Sequence, residues 1–166
     1  MEQQHPLTKI AVLSDTHLPD AGTLPLRLLG QLDSVDLIIH LGDFCDLETY
    51  KTFQKIAPLV AVYGNMDEPE VKSLLPEKKK LEIHGYNIGL IHGWGPPKNL
   101  EKRVVQAFPD VDIVLFGHSH TPLSTTIEEI FVFNPGSATM NTDGSGTFGI
   151  IELGSTVTHR IIRLDS

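Results

Sequence analysis

Lys9-Ile10-Ala11-Val12-Leu13-Ser14-Asp15-Thr16-His17 is an apolar run of strand length that stops in a polar turn carrying a carboxylate and an imidazole. Such a run reads as a buried strand, and its ending sets two chemically active side chains at the strand's C-terminal end. The same grammar recurs downstream. Leu24, Leu28 and Leu32 follow at helical spacing, with Thr23 as N-cap and Pro25 tolerated in the first turn. A second apolar run, residues 36–40, ends at Leu41-Gly42-Asp43. Asp46 then caps a helix carrying Leu47, Tyr50 and Phe53, and a third run, residues 59–62, breaks at Gly64-Asn65. Alternating strands and helices of this kind build a sheet covered by helices.

Beyond residue 80 the pattern changes. Residues 81–84 and 88–92 flank Gly85-Tyr86-Asn87 as a hairpin, and Lys78-Lys79-Lys80 reads as a solvated turn before it. Asn99 opens a helix with Leu100, Val104 and Phe108, and residues 113–116 form its partner strand. Residues 124–127, 130–134, 147–153 and 157–163 read as four more strands in a meander. No repeat, linker or low-complexity segment divides the chain. The expectation is an α/β fold, a four-layer αββα sandwich of two mixed β-sheets flanked by helices. It would form one domain over residues 1–166, with residues 1–8 as a flexible tail.

Composition narrows the partners. Among 166 residues, 13 Lys+Arg stand against 21 Asp+Glu, giving a formal charge of −8. A negative surface whose only dense basic run is three lysines does not track a phosphate backbone, so long nucleic acids are excluded. No apolar stretch approaches the roughly 18 residues that cross a bilayer, and residues 1–6 lack the apolar core of a signal peptide. No membrane association and a cytoplasmic location are therefore expected, and a homo-oligomer is left open. A single cysteine, Cys45, rules out an internal disulfide and a multi-cysteine zinc site.

The strand ends carry the chemistry. Asp15-x-His17, Gly42-Asp43, Gly64-Asn65, His92-Gly93 and Gly117-His118-Ser119-His120 each follow an apolar run. Loops at strand ends are where functional side chains converge in layered α/β folds. Together these bring two carboxylates, one amide and four imidazoles. Seven N and O donors exceed one closed tetrahedral site and suit two divalent ions sharing a carboxylate, about 3.5–4 Å apart, as used for hydrolysis at phosphorus. Glycine beside Asp43, Asn65, His92 and His118 allows positive φ or close backbone approach. If residues 118–120 are extended, both imidazoles leave the chain on one side.

In this order and spacing, these motifs resemble the calcineurin-like metallophosphoesterases over nearly the whole chain. The short length and the closing Asn134-Pro135-Gly136-Ser137 look most like the small bacterial and archaeal phosphodiesterase branch. That branch is related in fold to the retromer subunit that serves mainly as a scaffold. The resemblance implies that Asp15, His17, Asp43 and His120 hold one metal and that Asp43, Asn65, His92 and His118 hold the other. Asp43 would then bridge, and a hydroxide between the ions would be the nucleophile, with Asp43, Asn65 and His118 the metal-held residues nearest the chemistry. Mn²⁺ leads the candidate ions; Ni²⁺, Fe²⁺, Co²⁺ and Zn²⁺ are alternatives, and four imidazoles disfavour Mg²⁺.

One position departs from the pattern. Larger members of that family carry Gly-Asn-His-Asp/Glu, with the histidine protonating the leaving group or binding phosphate, whereas this chain reads Gly64-Asn65-Met66-Asp67. A thioether donates no proton, so activated leaving groups and a modest rate are expected. The implied activity is hydrolysis of small phosphodiesters; the alternatives are a phosphomonoesterase and a catalytically weak scaffold. Outside the ligand set, His40 reads as a core or supporting histidine, and His5, His84 and His159 as surface residues. Cys45 reads as a small buried filler, Asn134 as a turn that organises the site wall, and Asp67 as either a substrate contact or a loop brace. Trp94-Gly95-Pro96-Pro97-Lys98 is a stiff wall of the cleft, with Lys98 and Arg103 as surface residues unless one meets a phosphate oxygen.

Overall fold

Ile10 and Val12 enter one apolar cluster while Ala11 and Leu13 enter another, the period-two alternation of a strand buried on both faces. Such a strand needs a layer on each side, and the computed structural model, which describes residues 6–17 and 24–164, supplies both. The first sheet contains β1 (Thr8–Leu13), β2 (Leu37–His40), β3 (Leu59–Ala61), β9 (Thr147–Leu153) and β10 (Val157–Arg163), in the order β10-β9-β1-β2-β3. The second contains β4 (Lys78–Ile83), β5 (Tyr86–Ile91), β6 (Ile113–Phe116), β7 (Leu123–Ile127) and β8 (Ile130–Asn134), in the order β4-β5-β6-β8-β7. Both sheets are mixed. β1, β2 and β3 run parallel, as do β5, β6 and β8, while β9, β10, β4 and β7 pair antiparallel at the flanks.

Three apolar clusters fill the three spaces of a four-layer sandwich. Between the sheets lie Val12, Ile39, Leu90, Leu115, Phe133 and Ile151. Outside the first sheet, Leu28 and Leu32 of α1 (Leu26–Leu32), Phe53 of α2 (Leu47–Ile56) and Val71 of α3 (Pro69–Leu74) pack with Leu13, Ile38 and Phe148. Outside the second, Val104 and Val105 of α4 (Leu100–Gln106) pack with Val114, Phe116 and Val132. The expected cap of α2 is present, with Thr49 N–H donating to Asp46 Oδ1 at 2.9 Å.

Several local expectations change. The expected tail of residues 1–8 is too long: β1 begins at Thr8, which pairs with Leu153, while residues 1–5 lie outside the described residues. Thr23, the expected cap of α1, also lies outside them, and the helix begins at Leu26 with Pro25 at the N-cap rather than inside the first turn. Lys78, Lys79 and Lys80 are not a turn but the exposed start of β4, an edge strand whose charges discourage pairing with another chain. The β4–β5 hairpin turns at His84-Gly85, with φ of 50° and 83°, two left-handed residues that match the twist of the flanking strands. The last four strands are not one meander, because β7 and β8 close the second sheet and β9 and β10 cross to the first. Among the described residues, no helix is long and apolar enough to cross a membrane.

Candidate metal centre

Ligand-bearing loops follow the C-terminal ends of five strands, β1, β2, β3, β5 and β6, where crevices open in α/β sheets. Backbone hydrogen bonds join them: Asp15 N to Gly42 O at 2.9 Å, His17 N to Asp43 O at 3.2 Å and Gly117 N to His92 O at 2.9 Å. Across the sheets, His118 N donates to Asp15 Oδ2 at 3.0 Å and His92 Nδ1 to Leu41 O at 2.7 Å.

The two carboxylates share one design. Asp15 Oδ2 accepts from the Ser14 hydroxyl and from His118 N, which fixes the group, while Oδ1 lies 3.3 Å from His17 Nε2, 3.3 Å from His120 Nε2 and 3.7 Å from His92 Nε2. Asp43 Oδ1 accepts from Met66 N at 2.8 Å, and Oδ2 lies 3.4 Å from His17 Nε2 and 3.3 Å from His92 Nε2. One oxygen of each is restrained by the protein and the other is turned onto imidazole nitrogens. Asp15, His17 and His120 therefore offer ligand atoms all within 4.8 Å of one another, as do Asp15, Asp43 and His92. Asp15 belongs to both groups, and Asp43 Oδ2 also reaches a histidine of each.

The imidazoles fall into two pairs. His17 and His120 stand with ring centroids 4.8 Å apart, His92 and His118 with theirs 5.1 Å apart. Nδ1–H of His92 is committed to Leu41 O, which leaves Nε2 as the ligating nitrogen. His118 is held the other way, its Nε2–H donating to Gly95 O at 2.9 Å, which leaves Nδ1 as the nitrogen free to ligate. Asn65 is exposed and lines a cleft with His92. The extended geometry expected for residues 118–120 is absent: β6 ends at Phe116, and His118 and His120 take φ of 73° and 55°.

Strain is concentrated here. Asp15, His17, Asp43, His118 and His120 all have positive φ, a conformation that costs a non-glycine residue on the order of 1 kcal/mol. Surrounding packing holds them there. Gly117 is required not for its φ but for space: a Cβ would lie 2.8 Å from Asp15 Oδ2 and overlap Ser14. At Gly64 a Cβ would lie 2.6 Å from Asp43 N.

The supporting residues resolve as follows. Asp67 is a loop brace, since its buried carboxylate accepts from Asp43 N, Gly64 N and Cys45 N at 2.8–2.9 Å. Asn134 ties the loop of His118 and His120 by donating to Gly117 O at 3.1 Å and to Ser119 Oγ at 3.0 Å. His40 is buried, stacked on Phe44 at 3.6 Å and accepting at Nδ1 from Gly42 N, with Nε2 3.3 Å from Thr16 Oγ1. Cys45 is only half-buried, with Sγ 3.8 Å from His17 Nδ1, so it touches a site histidine rather than filling the core. Burial and the surrounding carboxylates push its thiol up to about 11. His84 is half-buried with Nε2 2.7 Å from Thr8 Oγ1, whereas His159 is exposed and packs on Phe131. Sequence reasoning missed the task of Arg103, whose guanidinium donates to Trp94 O, Pro96 O and Lys98 O at 2.5–2.8 Å.

Electrostatics and hydrogen bonding both fit bound cations. Burial works against charge on Asp15, but His120, His17, His92 and Ser14 outweigh it and hold the carboxyl well below its usual range. Burial likewise opposes charge on His92, yet the adjacent carboxylates of Asp43 and Asp15 outweigh it and push it up to about 9. Contact with Asp15 raises His120 as well. Protons thus gather on the imidazoles where cations would neutralise the carboxylates. His92 Nε2 is buried and, although within 3.3 Å of Asp43, has no aligned hydrogen bond, an orphan that a metal ion would satisfy.

Comparison with known proteins agrees with this geometry. The family model of the calcineurin-like phosphoesterase superfamily domain matches residues 8–156. A protein of Methanocaldococcus jannaschii named probable metallophosphoesterase is 41% identical over 135 residues, covering 79% of this chain and 68% of the relative. The solved structure of a novel archaeal phosphodiesterase superposes with a TM-score of 0.73 at 26% identity, covering 94% of this chain and 99% of that one. A Vps29 from Entamoeba histolytica complexed with Zn²⁺ superposes with a TM-score of 0.72 at 25% identity, covering 95% and 100%. With the family's model matching residues 8–156 and the ligand-bearing loops meeting at the C-terminal ends of strands from both sheets, the chain belongs to the calcineurin-like phosphoesterase superfamily.

Proposed function

We propose that this chain is a dinuclear metal-dependent phosphodiesterase acting on small phosphodiesters, with Mn²⁺ the first ion to test. The observation that carries this reading is the pair of carboxylates, each with one oxygen tied down and one presented to imidazoles, beside the orphaned Nε2 of His92. Asp15, His17, Asp43 and His120 would hold one ion and Asp43, Asn65, His92 and His118 the other. When bound, such ions lower the pKa of an attacking water and neutralise charge building on the phosphate oxygens.

The chain's own residues supply positioning. The Ser14 hydroxyl and the backbone N–H groups of His118 and Met66 fix the carboxylates, Asp67 holds the backbone N–H of Asp43, and Leu41 O and Gly95 O set the tautomers of His92 and His118. Fixed dipoles of this kind need no reorganisation as charge develops. Met66, more than half exposed beside Asn65, offers no proton to a leaving group. Diesters with good leaving groups are therefore favoured, consistent with the archaeal phosphodiesterase among the similar structures.

The test is hydrolysis of bis-p-nitrophenyl phosphate after chelation and restoration of Mn²⁺. Chelation should abolish turnover and Mn²⁺ restore it, with p-nitrophenyl phosphate the slower substrate. Turnover that survives chelation, or a monoester preference, contradicts the proposal.

A further inference from the structure

Beside His92 opens a cleft of about 150 Å³ lined by Tyr63, Asn65, Glu77 and Trp94. A second opening of about 340 Å³ shares Glu77 and Trp94 with it, so the indole stands between two hollows. Trp94 is the chain's only tryptophan and is 48% exposed. Large aromatic rings left half in water next to a candidate reaction centre call for an explanation, because burying that surface is favourable and nothing in the described fold covers it.

Its support is unusually firm. Arg103 lies over the ring at 6.0 Å from the centroid, within cation–π range, and its guanidinium donates to Trp94 O, Pro96 O and Lys98 O. Two adjacent prolines, Pro96 and Pro97, stiffen the same loop. Gly95 O of that loop also accepts from His118 Nε2, so the indole and a candidate metal ligand are fixed by one rigid segment. Trp94 is held by the Arg103 guanidinium yet is still half exposed and lines both hollows, so that part of its surface remains for a ligand. Exposed Glu77 offers an acceptor at the rim, and Asn65 offers an amide.

We propose that this cleft is a subsite for the retained ester group of the substrate, and that the group it takes is a nucleoside whose base stacks on Trp94. The proposal rests on the phosphodiesterase reading for its substrate but not for its binding surface. A planar base uses the indole face, its polar edge meets Glu77 and Asn65, and its phosphate lies toward His92. A methyl or other small alkyl ester leaves the ring unused. Arg103 acts here as a positioning residue.

The single tryptophan makes binding visible without catalysis. Metal-loaded protein is titrated with thymidine 5′-monophosphate and, separately, with methyl phosphate, while tryptophan emission is followed. Saturable quenching by the nucleotide and none by methyl phosphate is expected. In parallel, kcat/KM is measured on thymidine 5′-(p-nitrophenyl phosphate) and on methyl p-nitrophenyl phosphate, which share a leaving group. Trp94→Leu should lower the value for the thymidine ester about tenfold more than for the methyl ester, and Trp94→Phe should recover most of it. Equal emission responses to the two ligands, or equal losses on the two esters, overturn the subsite. Selective quenching without hydrolysis of either ester supports the subsite and overturns the phosphodiesterase reading. Hydrolysis of both esters at similar kcat/KM without quenching does the reverse.

Discussion

Asp15 and Asp43 each divide their two oxygens between the protein and the site, and that division makes their substitution informative. Asp43→Asn keeps size and the bond from Met66 N while removing charge, so metal affinity and turnover should fall by at least two orders of magnitude with the fold retained. Retained activity in that variant, measured beside circular dichroism, would contradict the role given to Asp43. In the metal-free chain His92 titrates near 9, so at neutral pH a metal must displace its proton. The sign follows: affinity rises with pH and levels off above 9. Titration with Mn²⁺ should show about tenfold tighter binding per pH unit between 7 and 9 for each proton released. Met66→His should raise turnover of esters with poor leaving groups, about 10²-fold if the imidazole donates its proton in full. At this scale the donors were legible in sequence because each follows an apolar run that must end at the surface. Their conformations were not: Asp15, Asp43 and His118 take positive φ in loops joined to residues far along the chain, and the loop task of Arg103, though its partners are five to nine residues away, depends on carbonyls that carry no side-chain signal.

At the scale of elements, the loops after β2 and β3 depend on Asp67 more than their sequences suggest. Its carboxylate serves three backbone N–H groups, and Asp67→Ala would leave them buried and unpaired, for a loss of about 3 kcal/mol in urea unfolding. Asp67→Asn should cost less, since the amide oxygen can still accept. A loss below 0.5 kcal/mol for the alanine variant would show that these bonds do not brace the loops. Nine strands and the second half of β4 could be read from apolar runs and their periodicity, because burial on one or both faces is written directly into side-chain type; exposed Lys78, Lys79 and Lys80 carry no such mark. α3 could not, since six residues beginning at Pro69 bury only Val71 and leave no apolar stripe. The exchange of sheets between β8 and β9 was equally hidden: hairpin signals look alike whichever sheet receives them.

For the whole molecule, the formal charge of −8 belongs to the chain without metal, and two divalent ions would bring it to −4. A cationic centre on an otherwise acidic surface favours small phosphate esters over long polyanions. Acid stability has a separate determinant. Burial lowers His40 to about 3, against 6.5 for the free side chain, so the unfolded chain takes up its proton first as pH falls. Its contribution is intact above 6.5 and declines as pH falls toward 3, by an amount on the order of 5 kcal/mol. Thermal unfolding of metal-free protein should show that decline, and His40→Gln should flatten it; an unchanged pH profile would contradict it. The most direct test of the central claim is elemental analysis of protein reconstituted with Mn²⁺ and freed of excess ion, comparing the unaltered chain with Asp43→Ala. Two ions per chain, falling to one or fewer in the variant, is the predicted result. Fewer than one ion in the unaltered chain, or uptake that Asp43→Ala leaves unchanged, would contradict a two-metal site built around that carboxylate.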